Sequence, residues 1–122
     1  MFLASRSSFN PAQRLRRRQD FERVYRSRQK CNNKEFVVYY CANDLLLDRL
    51  GLTVSRRFGG AVLRNRAKRL LRELFRTNTV AGVSGADLVV KPNRSLLETE
   101  FTELERRWRQ TLRKIRKRLH TT

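Results

Sequence analysis

Hydrophobic positions in this chain recur with two distinct periods, and those periods predict the elements. Phe21, Val24 and Tyr25 stand at i, i+3 and i+4, the spacing that gathers side chains on one face of a helix. Asp20 and Glu22 lie near the start of that segment and Arg26 and Arg28 near its end, an order that complements the helix dipole. The β-branched and aromatic run Phe36-Val37-Val38-Tyr39-Tyr40-Cys41 and the alternating run Leu50-Gly51-Leu52-Thr53-Val54-Ser55 predict two strands, antiparallel and joined around Asn43-Asp44. Gly59-Gly60 breaks the chain before its most periodic stretch. There Leu63, Ala67, Leu70, Leu71 and Leu74 predict a helix over about residues 62–77, ended by Gly82, Ser84 and Gly85. Ala86-Asp87-Leu88-Val89-Val90 reads as a short strand stopped by Pro92-Asn93. Phe101, Leu104, Trp108, Leu112, Ile115 and Leu119 form the apolar stripe of a final helix, and Ser95 with Glu98 has the spacing of a capping box at its start. Residues 1–13 show little periodicity and read as a flexible leader, 14–119 as one domain, and 120–122 as a tail. A chain of 122 residues has room for one core.

Charge changes this picture from a small domain to a binding protein. Lys and Arg number 29 against 11 Asp and Glu, a formal charge of +18 and a pI near 11.6. Such a field recruits a polyanion. Arginine outnumbers lysine, and its planar guanidinium suits phosphate oxygens and stacking on bases. The apolar share of 39 % supports a folded core rather than a disordered basic tail. No apolar run approaches the length needed to span a bilayer, and Met1-Phe2-Leu3-Ala4 is too short for a signal sequence, so a cytoplasmic protein without a membrane partner is expected. Cys31 and Cys41 lack metal-ligand spacing and read as reduced thiols.

Within the central helix the charges are sorted. At 100° per residue, Asn65, Lys68, Arg69, Arg72 and Arg76 fall opposite the leucine arc, with Arg64 and Arg66 at its borders. An ordinary solvated helix interleaves Glu and Lys, whereas here Glu73 is nearly alone. Like charges at this density destabilise a helix unless a partner neutralises them, so the face predicts RNA contact. A second candidate is aromatic. Phe21 and Tyr25 lie one turn apart, and Phe36 and Tyr39 stand on opposite faces of the first long strand. Such rings are commonly core, but rings lining a basic groove also hold single-stranded nucleic acid by stacking. Catalytic and metal constellations are missing from the sequence: His120 is the single histidine, the aspartates are isolated, and no glycine-rich phosphate loop or small-molecule site appears.

The run Arg64-Asn65-Arg66-Ala67-Lys68-Arg69-Leu70-Leu71-Arg72-Glu73 resembles the signature helix of the bacterial ribonuclease P protein component. Gly51-Leu52-Thr53-Val54-Ser55-Arg56-Arg57 is similar to the family's strand and its basic exit, Asp20-Phe21 with Val24-Tyr25 to its first helix, and Ala86-Asp87-Leu88-Val89-Val90 to the strand after the signature helix. The resemblance covers about residues 14–119. It implies an α/β (α+β) sandwich in the order αβββαβα, related to a ribosomal-protein fold, with a left-handed βαβ crossover and an extra short strand near Gln29 to Asn32. It further implies a protein subunit of the tRNA 5′-processing endoribonuclease, whose partners are ribonuclease P RNA and precursor tRNA. Catalysis and Mg²⁺ would belong to the RNA, with no cofactor on the protein. By position Arg64, Asn65, Arg66, Lys68, Arg69 and Arg72 match the family's RNA contacts, and Phe21, Tyr25 and Tyr39 its leader-binding cleft; Arg56, Arg57 and Arg76 join the expected RNA contacts by their charge, and Phe36 the expected cleft by its ring. The residues alone leave a ribosomal protein or assembly factor as runner-up, then a DNA-binding regulator, then a protein-only nuclease. The signature helix disfavours the first, and the absence of helix-turn-helix spacing disfavours the second.

Overall fold

The computed structural model of the chain describes residues 11–78 and 85–120. After a 3₁₀ turn at Pro11–Gln13 come α1 (Arg18–Arg26), β1 (Lys30–Asn32), β2 (Phe36–Ala42), β3 (Arg49–Leu52), α2 (Ala61–Asn78), β4 (Ala86–Pro92) and α3 (Phe101–Leu119). The expected order αβββαβα is therefore present, including the short first strand. Further 3₁₀ turns at Arg56–Phe58 and Arg94–Glu98 lead into α2 and α3.

The four strands form one sheet in the order β1-β2-β4-β3. β2 pairs antiparallel with β1 and with β4, and β3 pairs parallel with β4, so β3, α2 and β4 make a βαβ unit of adjacent strands. β2 and β4 are the interior strands, and Ala86 through Val90 of β4 are all buried, as a strand covered on both faces must be. The sheet separates two cores. Phe36, Val38, Tyr40, Leu50, Leu88 and Val90 pack against Ala67, Leu71 and Leu74 of α2 and Leu104, Trp108 and Ile115 of α3. On the other face α1 closes a smaller cluster in which Val24 meets Leu15, Cys41 and Val89, with Phe21 and Tyr39 partly buried beside them. Cys31 belongs to the first core and Cys41 to the second. Both are free thiols with the sheet between them. Burial, the largest influence, pushes the Cys41 thiol above its ordinary value.

Several expectations are corrected. β2 and β3 run in opposite directions, as anticipated, but do not form a hairpin, because β4 lies between them. The predicted third strand ends at Leu52 rather than Ser55, although the Thr53 amide still donates to Val90 at 3.0 Å. Ser95 and Glu98 do not cap the last helix. They sit in the preceding 3₁₀ turn, where Ser95 donates to the Lys34 carbonyl at 2.7 Å, and α3 begins only after Glu100. The last residues of the supposed leader are anchored: Gln13 donates to the Asp48 carbonyl at 3.1 Å, and the next residue but one, Leu15, donates to Leu50 at 2.9 Å. Residues 1–10, Gly82, Ser84 and residues 121–122 lie outside the described residues.

The burial of α2 yields a direct test of its orientation. Leu74 is fully buried, whereas Leu70 is only partly so. Leu74→Ala is expected to cost about 2–5 kcal/mol in urea unfolding, through lost transfer energy and a cavity. Leu70→Ala should cost distinctly less. Equal losses would mean that the helix is rotated from the orientation described.

Candidate RNA interface

α2 turns Ala67, Leu71, Leu74 and Phe75 into the core, and this alone forces Asn65, Arg66, Arg69 and Arg72 outward, where all four are exposed. Arg56 and Arg57 are exposed on the 3₁₀ turn that feeds the helix, so the basic surface begins before α2 does. Arg64 is half-buried and donates to the Gly59 carbonyl at 2.8 Å, which steadies the turn into the helix. Arg76 is the exception among the expected contacts. Its guanidinium grips Glu73 through two bonds of 3.2 and 2.5 Å, so in the free protein its charge is shared with a carboxylate on the same helix. Glu73 stands one turn before Arg76, the i, i+3 spacing at which such pairs form.

The remaining charge is uncompensated for a structural reason. Buried acids take up other arginines: Asp48 accepts from Arg116 at 2.7 Å and from the Ala86 amide at 2.9 Å. Asp87, with no exposed surface, accepts two bonds of 2.8 Å from Arg49, one of 2.9 Å from Asn43, and one from Arg23. Burial by itself would raise the Asp87 pKa, but the bonds from Arg49 and Asn43, with the charges around them, hold it below its ordinary value. On α3, hydrogen bonds from Arg106 and then Arg107 bring Glu103 down to about 2. Among the described residues, none of Arg56, Arg57, Arg66, Arg69 and Arg72 enters an ion pair. The buried acids Asp48 and Asp87 are thus matched by arginines, whereas Arg66, Arg69 and Arg72 of α2 enter no ion pair among the described residues.

The exposed face of α2 is a ridge between two depressions. On the β3 side, Lys68 and Arg72 join Arg14, Arg16, Phe21 and Gly51 around a cleft of about 210 Å³. Gly51 is required there, since a β-carbon would come within 2.6 Å of the Phe21 ring. An isolated glycine in a strand is the sequence signal for such a close approach. Arg14 and Arg16 had no periodic pattern to mark them. On the other side, Arg66 and Arg69 overlook a groove floored by Leu70, Leu97 and Phe101.

The aromatic candidates divide. Tyr25 and Tyr39 meet edge to face, with centroids 4.9 Å apart and planes at 76°, and the Tyr25 hydroxyl is 2.8 Å from Thr53 Oγ1. Tyr25 is 37 % exposed. The Lys30 ammonium stands 5.9 Å from the centre of the Tyr39 ring. Beyond the end of α1, half-buried Val37 and exposed Lys91, its register partner, continue the same sheet face. Phe21 lies farther along, over Gly51, and thereby touches the α2 side as well. Phe36 does not belong to this cleft. It is fully buried on the opposite sheet face with its ring 5.6 Å from Trp108, as the alternation of side chains along β2 requires.

Comparison with known proteins places the chain in one family and fold. The family model for ribonuclease P matches residues 9–116. The ribonuclease P protein component of Thermotoga sp. (strain RQ2) is 41 % identical over 98 residues, covering 80 % of this chain and 83 % of the relative. That of Alkaliphilus oremlandii is 35 % identical over 92 residues, covering 75 % and 81 %. Among solved structures, the Thermotoga maritima ribonuclease P protein superposes with a TM-score of 0.66 at 36 % identity, over 86 % of this chain and 96 % of that one. A Staphylococcus aureus ribonuclease P protein mutant with defective mRNA degradation activity gives 0.75 at 30 %, over 86 % and 89 %.

Proposed function

The chain belongs to the ribonuclease P protein family, and from that membership we propose how its two exposed surfaces divide the work of tRNA 5′ maturation. Its role is that of the protein subunit of a tRNA 5′-processing endoribonuclease, associated with ribonuclease P RNA. In this reading the α2 ridge, with Arg56 and Arg57 before it, docks on phosphates of the RNA subunit. The observation that carries it is the set of exposed arginines, Arg66, Arg69 and Arg72, that share one face of one helix and enter no ion pair among the described residues. Phosphate contacts of this kind position the protein without reading sequence.

The aromatic surface made by Tyr25 of α1 and Tyr39 of β2 then takes the single-stranded 5′ leader of the precursor. Tyr25 and Tyr39 offer ring surface for stacking, while Lys30 and Lys91 stand beside the path of the backbone. Stacking on aromatic side chains tolerates any base, which suits leaders of varied sequence. The protein supplies no catalytic side chain in this account. Mg²⁺ belongs to the RNA, and the oxygens of Asp48 and Asp87 are occupied by arginine, asparagine and backbone donors. Among the described residues no helix is long and apolar enough to cross a membrane, and the assembly is assigned to the cytoplasm.

Substrate pairs test the leader groove. Tyr25→Ala and Tyr39→Ala are expected to weaken holoenzyme binding to precursor tRNA by about 1–3 kcal/mol for each base that stacks there. Leader-less tRNA should lose little. Binding of both substrates, measured with variants shown by thermal unfolding to be folded, decides the matter. An equal loss for both would remove the groove from leader recognition.

A further inference from the structure

The groove on the α3 side of α2 differs in chemistry from the ridge beside it. It has a volume of about 590 Å³ between α2 and the corner where the Arg94–Glu98 turn meets α3. Its floor is apolar, made by Leu70, Leu97 and Phe101, all only partly buried by the rest of the protein. Arg66 and Arg69 stand at its rim, both exposed and without an ion pair among the described residues. Glu73 lines one end. Val62, one helical turn before Arg66, is 81 % exposed and extends the apolar strip along the same side of α2.

We propose that this groove receives an unpaired nucleobase of the RNA subunit, with the flanking phosphates held by Arg66 and Arg69. The inference rests on the docking of α2 on RNA and adds what that docking would contain. Charge decides the direction of entry. A phosphate inside the groove would face the Glu73 carboxylate and three apolar side chains, whereas a base would cover those side chains and leave its phosphates to the arginines outside. Glu73 is held by Arg76 at 2.5 Å, yet a carboxylate has further lone pairs. It can accept a hydrogen bond from an amino or imino N–H on the edge of an inserted base. The groove therefore favours a base with a donor edge and requires the nucleotide to be unstacked, as single-stranded or bulged RNA permits.

The test uses the whole protein and a ribonuclease P RNA transcript from the same genome. Phe101→Ala should reduce affinity for that RNA about five- to a hundredfold, the range for loss of one base stack, and leave the salt dependence unchanged because every phosphate ligand is still in place. Arg69→Ala should lower both the affinity and the salt slope. Phe101→Trp keeps a ring in place and should bind like the parent, with its indole fluorescence quenched as RNA is added while the buried Trp108 supplies a constant background. If folded Phe101→Ala binds RNA as tightly as the parent, the groove is not occupied by a base. Should that variant fail to fold, Phe101→Trp decides alone, and an unquenched indole at saturating RNA overturns the proposal. Association of RNA-free protein into dimers that Phe101→Ala abolishes without changing RNA affinity would overturn it in favour of a second copy. An unaltered salt slope in Arg69→Ala would instead refute the docking of α2 itself, which separates the two failures.

Discussion

Reversing Arg69 and Arg72 together to Glu is expected to lower affinity for ribonuclease P RNA by about a hundredfold or more while leaving thermal unfolding nearly unmoved. A charge-assisted hydrogen bond contributes roughly 1.5–3 kcal/mol, and the two reversals remove two such donors and add repulsion. Both residues are exposed and, among the described residues, neither is in an ion pair in the free protein, so nothing inside the fold depends on them. Surface substitutions of this kind usually change stability by about 0.5 kcal/mol or less. The slope of log affinity against log salt should become shallower by about one for each phosphate that is no longer neutralised. Binding measured across a salt series, beside a melting curve, checks both halves. Unchanged RNA affinity would show that α2 is not the docking element, and a large drop in melting temperature would show that the reversals act on the fold.

Removing the carboxylate of Asp87 should have the opposite signature. Asp87→Asn is expected to cost about 3 kcal/mol or more, within the 3–5 kcal/mol typical when one partner of a buried ion pair is removed. Asp87 is wholly buried, and its partner Arg49 is 22 % exposed, so that guanidinium cannot recover full hydration. Arg23, at 40 %, can turn to water, which puts the expected loss toward the low end. The same pair makes stability depend on pH. The folded state lowers the Asp87 pKa, so its contribution is fully present above the unfolded value, ordinarily 3.8. It is lost as pH falls through the depressed folded value. Urea unfolding of parent and variant should converge in strong acid and separate toward neutrality. A constant gap across that range would show that the carboxylate charge is not what holds α1 and β3 to β4.

Local periodicity was sufficient for much of this protein. Leucines at helical spacing identified α2 and the direction in which its arginines face, because a helix with one buried side has no choice about the other. The apolar stripe of α3 was legible for the same reason, being written within about twenty residues, the span of one element, whereas the short β1 was implied only by the family resemblance. Alternation along β2 even separated Tyr39 from Phe36, but could not say which of the two faces was the deeper core. That required α3, since it is Trp108 that covers Phe36.

What only the tertiary structure decided depends on partners far apart in the chain. β4 enters between β2 and β3 although it follows both, taking one of the sheet's two interior places with Ala86 through Val90 buried on both faces. Arg23 finds Asp87 across 64 residues, and Arg116 finds Asp48 across 68. Those pairings determine which cations are engaged within the fold and which stay unpaired, a distinction invisible to a count of charges. Likewise Gly51 becomes meaningful only beneath the Phe21 ring, and the apolar groove beside Arg66 exists only once Leu97 and Phe101 arrive next to α2. Helical and strand periods are properties of the backbone and its near neighbours. Clefts and ion pairs are made by whichever segments the packing of the sheet brings together, so α2's basic face could be read in advance, whereas the two depressions flanking it could not.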